Sequence, residues 1–137
     1  MKDNFTFDEL SRVFAIVSKI DAAAKKQIEA ENEYNSKNIE FDSEFKKCEY
    51  TFINAPKELH VLFDEKCALS DVRDRAERKA YKLIKEFAGA LEIGMGAYEW
   101  FEDEVAKYVR RKDYFKVEQI CEHCKYLASI AAHRIKY

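Results

Sequence analysis

All three glycines of this chain, Gly89, Gly94 and Gly96, fall inside one eight-residue window, and its only proline is Pro56. Gly opens positive φ and Pro removes a backbone donor, so together they punctuate most tight turns. A β-rich domain needs many such turns and cannot be built on this supply. The rest of the chain is dense in Ala, Leu, Glu, Lys and Arg, which lose little rotamer freedom in a helix. The expected fold class is therefore all-α: a compact bundle of five or six helices built on two or more long amphipathic helices, with residues 1–137 as a single helical domain.

At 137 residues the chain suits one domain. Ten Phe, eight Tyr and one Trp supply enough large apolar surface for a core without staples. The net charge of −2 argues against binding nucleic acid through charge alone. The charge is unevenly spread: residues 1–66 hold 10 Lys/Arg against 14 Asp/Glu, and residues 67–137 hold 14 against 12. The longest apolar run near the start, Val13 to Val17, is too short for a signal core and is preceded by Asp3, Asp8 and Glu9. A cytoplasmic protein with no membrane partner is expected, its four cysteines (Cys48, Cys67, Cys121, Cys124) being thiols.

Thr6-Phe7-Asp8-Glu9 reads as a capping box, with Phe5 and Leu10 at the positions of a hydrophobic staple. Leu10, Val13, Phe14, Val17, Ile20, Ala24 and Ile28 follow at helical spacing, predicting a helix to about Tyr34. Asn35-Ser36-Lys37-Asn38 is the first expected turn. Phe41, Phe45, Cys48 and Phe52 then predict a helix over about 39–53, while the alternation of Cys48, Tyr50 and Phe52 leaves a short strand as the alternative. Pro56 suits a first helical position, and Leu59, Leu62 and Phe63 carry a short helix after it. Ser70 is a candidate cap for the next helix, whose apolar series is Val72, Ala76, Ala80, Leu83, Phe87 and Leu91. The glycine window ends or kinks that helix. A helix over 97–111 carries Phe101, Val105 and Tyr108. Asp113 caps the last one, with the stripe Val117, Ile120, Cys124, Leu127, Ala131 and Ile135.

Chemistry finds little foothold. Cys121-Glu122-His123-Cys124 offers two thiols and an imidazole, but structural zinc sites use a second pair, and no further C-x-x-C or H-x₃₋₅-H exists. Both thiols lie on the apolar stripe of the last helix, where they read as small core hydrophobes. Each of His60, His123 and His133 has a non-carboxylate three residues before it, which excludes the Glu-x-x-His steps of carboxylate-bridged di-metal bundles. No nucleophile elbow, Walker loop or dinucleotide fingerprint occurs. No catalytic residue, metal or cofactor is expected.

Charge patterning suggests two surfaces. Segment 29–65 holds ten Asp/Glu against four Lys, and Glu29, Glu33, Glu40 and Glu44 are the candidate contacts to a basic protein partner. Arg75, Arg78, Lys82 and Lys85 step by 3, 4 and 3 on one helix, and Lys107, Arg110 and Arg111 cluster beside Tyr108 and Tyr114 on the next. That pattern could track a phosphate backbone and stack bases. It is equally the pattern of a solvated face, with Asp71–Arg75, Asp74–Arg78 and Asp103–Lys107 as i,i+4 pairs.

The segment Cys124-Lys125-Tyr126-Leu127-Ala128-Ser129-Ile130-Ala131-Ala132, ending in Tyr137, resembles the last helix of the small helical subunits of type III CRISPR effectors. Thr6 to Arg12 is placed like their first helix. The resemblance implies a helical subunit in a nucleic-acid-handling complex, although that family's strongly basic balance is absent here. The residues as a whole lead to a non-catalytic interaction protein, a small subunit, adaptor or inhibitor that binds another protein through a helix face. A binder of RNA or single-stranded DNA through the basic stripes is the alternative, and a helical metal protein or enzyme comes third.

Overall fold

The computed structural model describes residues 1–47, 54–93 and 117–136, and every regular element among them is helical. Helix α1 spans Phe7–Lys46, α2 spans Lys57–Ala90, and α3 spans Val117–Ala132. The described residues thus confirm an all-helical fold with three helices where five or six were expected. The helix expected over 97–111, the Asp113 cap and the strand alternative at Cys48 to Ile53 lie outside them.

The difference comes from two mergers. The turn expected at Asn35 to Asn38 is absent, and α1 runs through it to Lys46. Tertiary contacts outweigh the turn preference of Asn and Ser there. Lys37 pairs with Glu40 at 3.2 Å and with Glu65 of α2 at 2.9 Å. The Arg73 guanidinium stacks 4.1 Å above the ring of Tyr34, and Phe41 packs on Phe63 with centroids 5.6 Å apart. Likewise, Ser70 caps nothing: α2 is continuous through it, and its Oγ accepts from Arg73 Nη2 at 3.4 Å. Pro56 stands just before α2, where its carbonyl accepts from the N–H groups of Leu59 and His60.

The chain divides into two compact units, Met1–Lys25 with Arg78–Tyr137, and Lys26–Glu77. The core of the first is built by the three helices around Val13, Ile20, Phe87, Leu91 and Cys124, all essentially without solvent contact. Its α1 begins as the sequence predicts: Thr6 Oγ1 accepts from the Glu9 N–H at 3.2 Å, and Glu9 Oε1 accepts from the Thr6 N–H at 3.1 Å. The staple residues Phe5 and Leu10 are both in the core. The buried stripe differs in one place. Phe14 is 45% exposed, lying about 120° round the helix from Ile20, and Ile16 and Ala23 are buried instead. On α3 the expected stripe is buried at Ile120, Cys124, Leu127 and Ala131.

Phe5, outside any helix, plugs this core. Its N–H donates to the Arg134 carbonyl at 2.9 Å, its carbonyl accepts from the Lys136 N–H at 2.8 Å, and it forms a single parallel bridge with Ile135. The Lys2 N–H adds a bond to the Leu91 carbonyl at 3.0 Å. The α2 end is a Schellman motif, with Ile93 N–H on the Ala88 carbonyl and Glu92 N–H on the Gly89 carbonyl. The left-handed residue is Glu92, at φ 56°, and not a glycine.

The second unit has a thinner interior, with Ala30, Phe41 and Leu59 its buried apolar residues among those described. Aromatic and cation–π contacts supplement it. Phe41 stacks on Phe45 at 5.8 Å, and Lys66 lies 4.8 Å above the Phe41 ring.

Candidate functional site

Because α1 is uninterrupted, residues 4, 11 and 15 positions apart return to nearly the same bearing at about 100° per residue. Glu29, Glu33, Glu40 and Glu44 therefore share an arc of about 60° on the second unit. All four are exposed. A helix broken at Asn35 to Asn38 would not have held the two pairs in one register.

Glu29 and Glu33 make no ion pair with another described residue, while Glu44 meets Lys47 at 3.3 Å and Glu40 meets Lys37. Lys37 is the one cation set into this face. Its ammonium is held above the usual lysine range, first by the hydrogen bond to Glu65 and then by that to Glu40. Beside it opens a shallow groove of about 470 Å³, lined by Asn32, Glu33, Ser36, Lys37 and Glu40 of α1 and by Leu69 of α2. The face is thus acidic along α1, with an apolar contribution at its α2 wall.

On the other candidate surface, Arg75, Arg78, Lys82 and Lys85 are all exposed on α2. Arg75 falls in the second unit and the other three in the first, where they occupy an arc of about 60° with Tyr81 exposed among them. The side-chain pairs expected to neutralise the stripe do not form. Arg75 Nε donates to the Asp71 backbone carbonyl at 3.4 Å, and the Asp74 carboxylate meets Arg73 at 3.6 Å instead of Arg78. Lys107, Arg110 and Arg111, with the Asp103–Lys107 pair, lie outside the described residues.

The thiols of the C-x-x-C motif belong to the core of the first unit. Cys121 and Cys124 are buried, and Cys121 Sγ donates to the Ile20 carbonyl at 3.7 Å. Burial, followed by the neighbouring Cys121 sulfur, pushes the Cys124 thiol well above its ordinary range. His123 is buried beside Tyr126, with ring centroids 6.2 Å apart. Among the described residues no group of three or more His, Cys, Asp or Glu converges as metal ligands would. Nor is any described helix long and apolar enough to cross a membrane.

Sequence reasoning named the acidic residues but not the features around them. Leu69 and Glu65 of α2 become part of the site only through the tertiary contact with Lys37, which no local pattern announces. No family model, curated protein or solved structure matches this chain, so its function is read from its own residues.

Proposed function

We propose that this chain is a non-catalytic interaction module of the cytoplasm, an adaptor, small subunit or inhibitor that binds a basic protein through the acidic face of α1. The observation that carries this reading is the continuous α1, which gathers Glu29, Glu33, Glu40 and Glu44 on one exposed arc. Clustered carboxylates of one sign raise the rate at which a basic partner is met, and they do so without any reacting group. The absence of a recognisable catalytic motif in the sequence agrees with it.

The test is an affinity capture made in parallel with the wild-type chain and with a variant carrying Glu29→Lys, Glu33→Lys, Glu40→Lys and Glu44→Lys. Its helical circular dichroism should match the wild type, because all four sites are exposed. The captured partner should be basic, and its association rate with the variant should fall by about tenfold or more at low salt. Equal association with both chains would refute the reading.

The exposed run Arg78, Lys82 and Lys85, with Arg75 before it, supports a second reading: binding to a nucleic-acid backbone. The overall net charge of −2 and the acidic second unit weigh against it.

A further inference from the structure

We propose that the groove on the second unit seats a cationic amphipathic helix of the partner protein, apolar side against α2 and basic side against α1. This rests on the reading of the chain as an interaction module and adds the form of what it binds. The groove shows which side of α2 borders the acidic face, because Leu69 lines it and Glu65 reaches Lys37 across it. Around the α2 axis, Val61, Ala68 and Val72 stand four before, three after and seven after Glu65, so all three lie within about 60° of it. They therefore form a stripe along the same border. Val61 is 45% exposed and Val72 41%, and Ala68 is exposed as well.

Both valines stand at helical spacing, yet the interior of this unit does not use them. Large side chains left at an aligned register beside a groove mark a surface that gains from being covered. What covers it is decided by charge. The opposite border carries Glu29, Glu33, Glu40 and Glu44, two of them without an ion pair to a described residue. A purely apolar segment would leave these carboxylates partly desolvated without partners, and a purely basic one would leave the valines in water. A helix with aliphatic residues at i, i+3, i+4 and i+7 and lysines or arginines beside them satisfies both borders at once. Lys37, held by Glu40 and Glu65, closes the floor between them.

The probe is a leucine–lysine peptide of about 18 residues, five helical turns, with leucines at that spacing. A scrambled peptide of identical composition serves as its control. Binding is followed by fluorescence anisotropy at physiological salt with four proteins: the wild type, Val61→Ser/Val72→Ser, Glu33→Gln/Glu40→Gln, and the fourfold Glu→Lys variant. The amphipathic peptide should bind in a saturable one-to-one complex, and the scrambled one about tenfold more weakly or worse. The valine pair and the glutamate pair should each weaken the complex about tenfold, with circular dichroism of the proteins unchanged.

Equal binding of both peptides, insensitive to the valine pair but lost in the fourfold variant, would overturn the helix-in-groove inference and leave the acidic-face reading standing. Failure of the amphipathic peptide to bind the wild type overturns the inference, while the partner capture judges the reading separately. Self-association of the wild type that disappears with Val61→Ser/Val72→Ser would show that a second copy covers the stripe, and would also overturn it.

Discussion

Single residues carry two of the sharpest expectations. Glu92 adopts the left-handed conformation that closes α2, a geometry in which a side chain costs about 1 kcal/mol that glycine avoids. Glu92→Gly should therefore stabilise the chain by up to about 1 kcal/mol in urea unfolding, despite adding a glycine. Gly89, three residues earlier, shows the converse. A methyl group built there meets nothing within 4 Å, so Gly89→Ala should also stabilise, by about 0.5–1 kcal/mol, through helix propensity alone. The thiols divide in the same residue-by-residue way. Cys67 is exposed on α2, whereas Cys121 and Cys124 are buried and the Cys124 thiolate is disfavoured by desolvation. Since the thiolate is the reacting species, Cys67 should be modified promptly by a thiol reagent under native conditions. Cys121 and Cys124 should react only on unfolding, as peptide mass mapping of the labelled sites would show. Prompt labelling of Cys124 in the folded chain would contradict its place in the core.

At the scale of elements, the start of α1 links sequence to pH. Hydrogen bonding by Lys2, then by the Thr6 N–H and hydroxyl, lowers the Glu9 carboxyl from its ordinary 4.5 to about 2. A carboxylate depressed on folding contributes stability that is fully present above its unfolded value and lost as the pH falls through the folded one. Acid unfolding between about pH 4.5 and pH 2 should therefore be blunted in Glu9→Gln relative to the wild type, which unfolding midpoints across that window would reveal. This box was legible because capping is local: Thr6 and Glu9 stand three residues apart and need nothing else. The stripe of α3 was legible for the same reason, its period being written in consecutive turns. The length of α1 was not. Asn35 to Asn38 has turn composition, and what carries the helix through it is Lys37 reaching Glu65, Arg73 over Tyr34 and Phe63 against Phe41. Those partners lie on another helix, and a reading by windows cannot see them. The site inherits that limit. Four glutamates could be named from charge density, but their common face exists only because the helix does not break, and Val61, Ala68 and Val72 join it only through the neighbouring α2 border. Phe14 fails in the opposite direction, since an apolar residue at correct spacing can still fall at the edge of the buried arc.

For the whole molecule, the two functional readings differ in the sign of the charge that does the binding, and salt separates them. If Arg75, Arg78, Lys82 and Lys85 held phosphates, each contact would release condensed counterions, and replacing one by Ala would reduce the slope of log affinity against log salt by about 1. A chain of net charge −2 gains no long-range attraction to a polyanion, so any such binding must come from the local stripe against the repulsion of the rest. The expected outcome is that generic single-stranded RNA binds poorly at physiological salt, and that the fourfold alanine variant keeps its protein partner. Its stability should shift by less than about 0.5 kcal/mol per site, as for solvated side chains. The acidic face behaves oppositely: association with a basic partner should slow as salt rises, and the Glu→Lys variant should lose that dependence. Micromolar RNA binding at physiological salt, abolished by the fourfold alanine variant and untouched by the Glu→Lys variant, would reverse the order of the two readings.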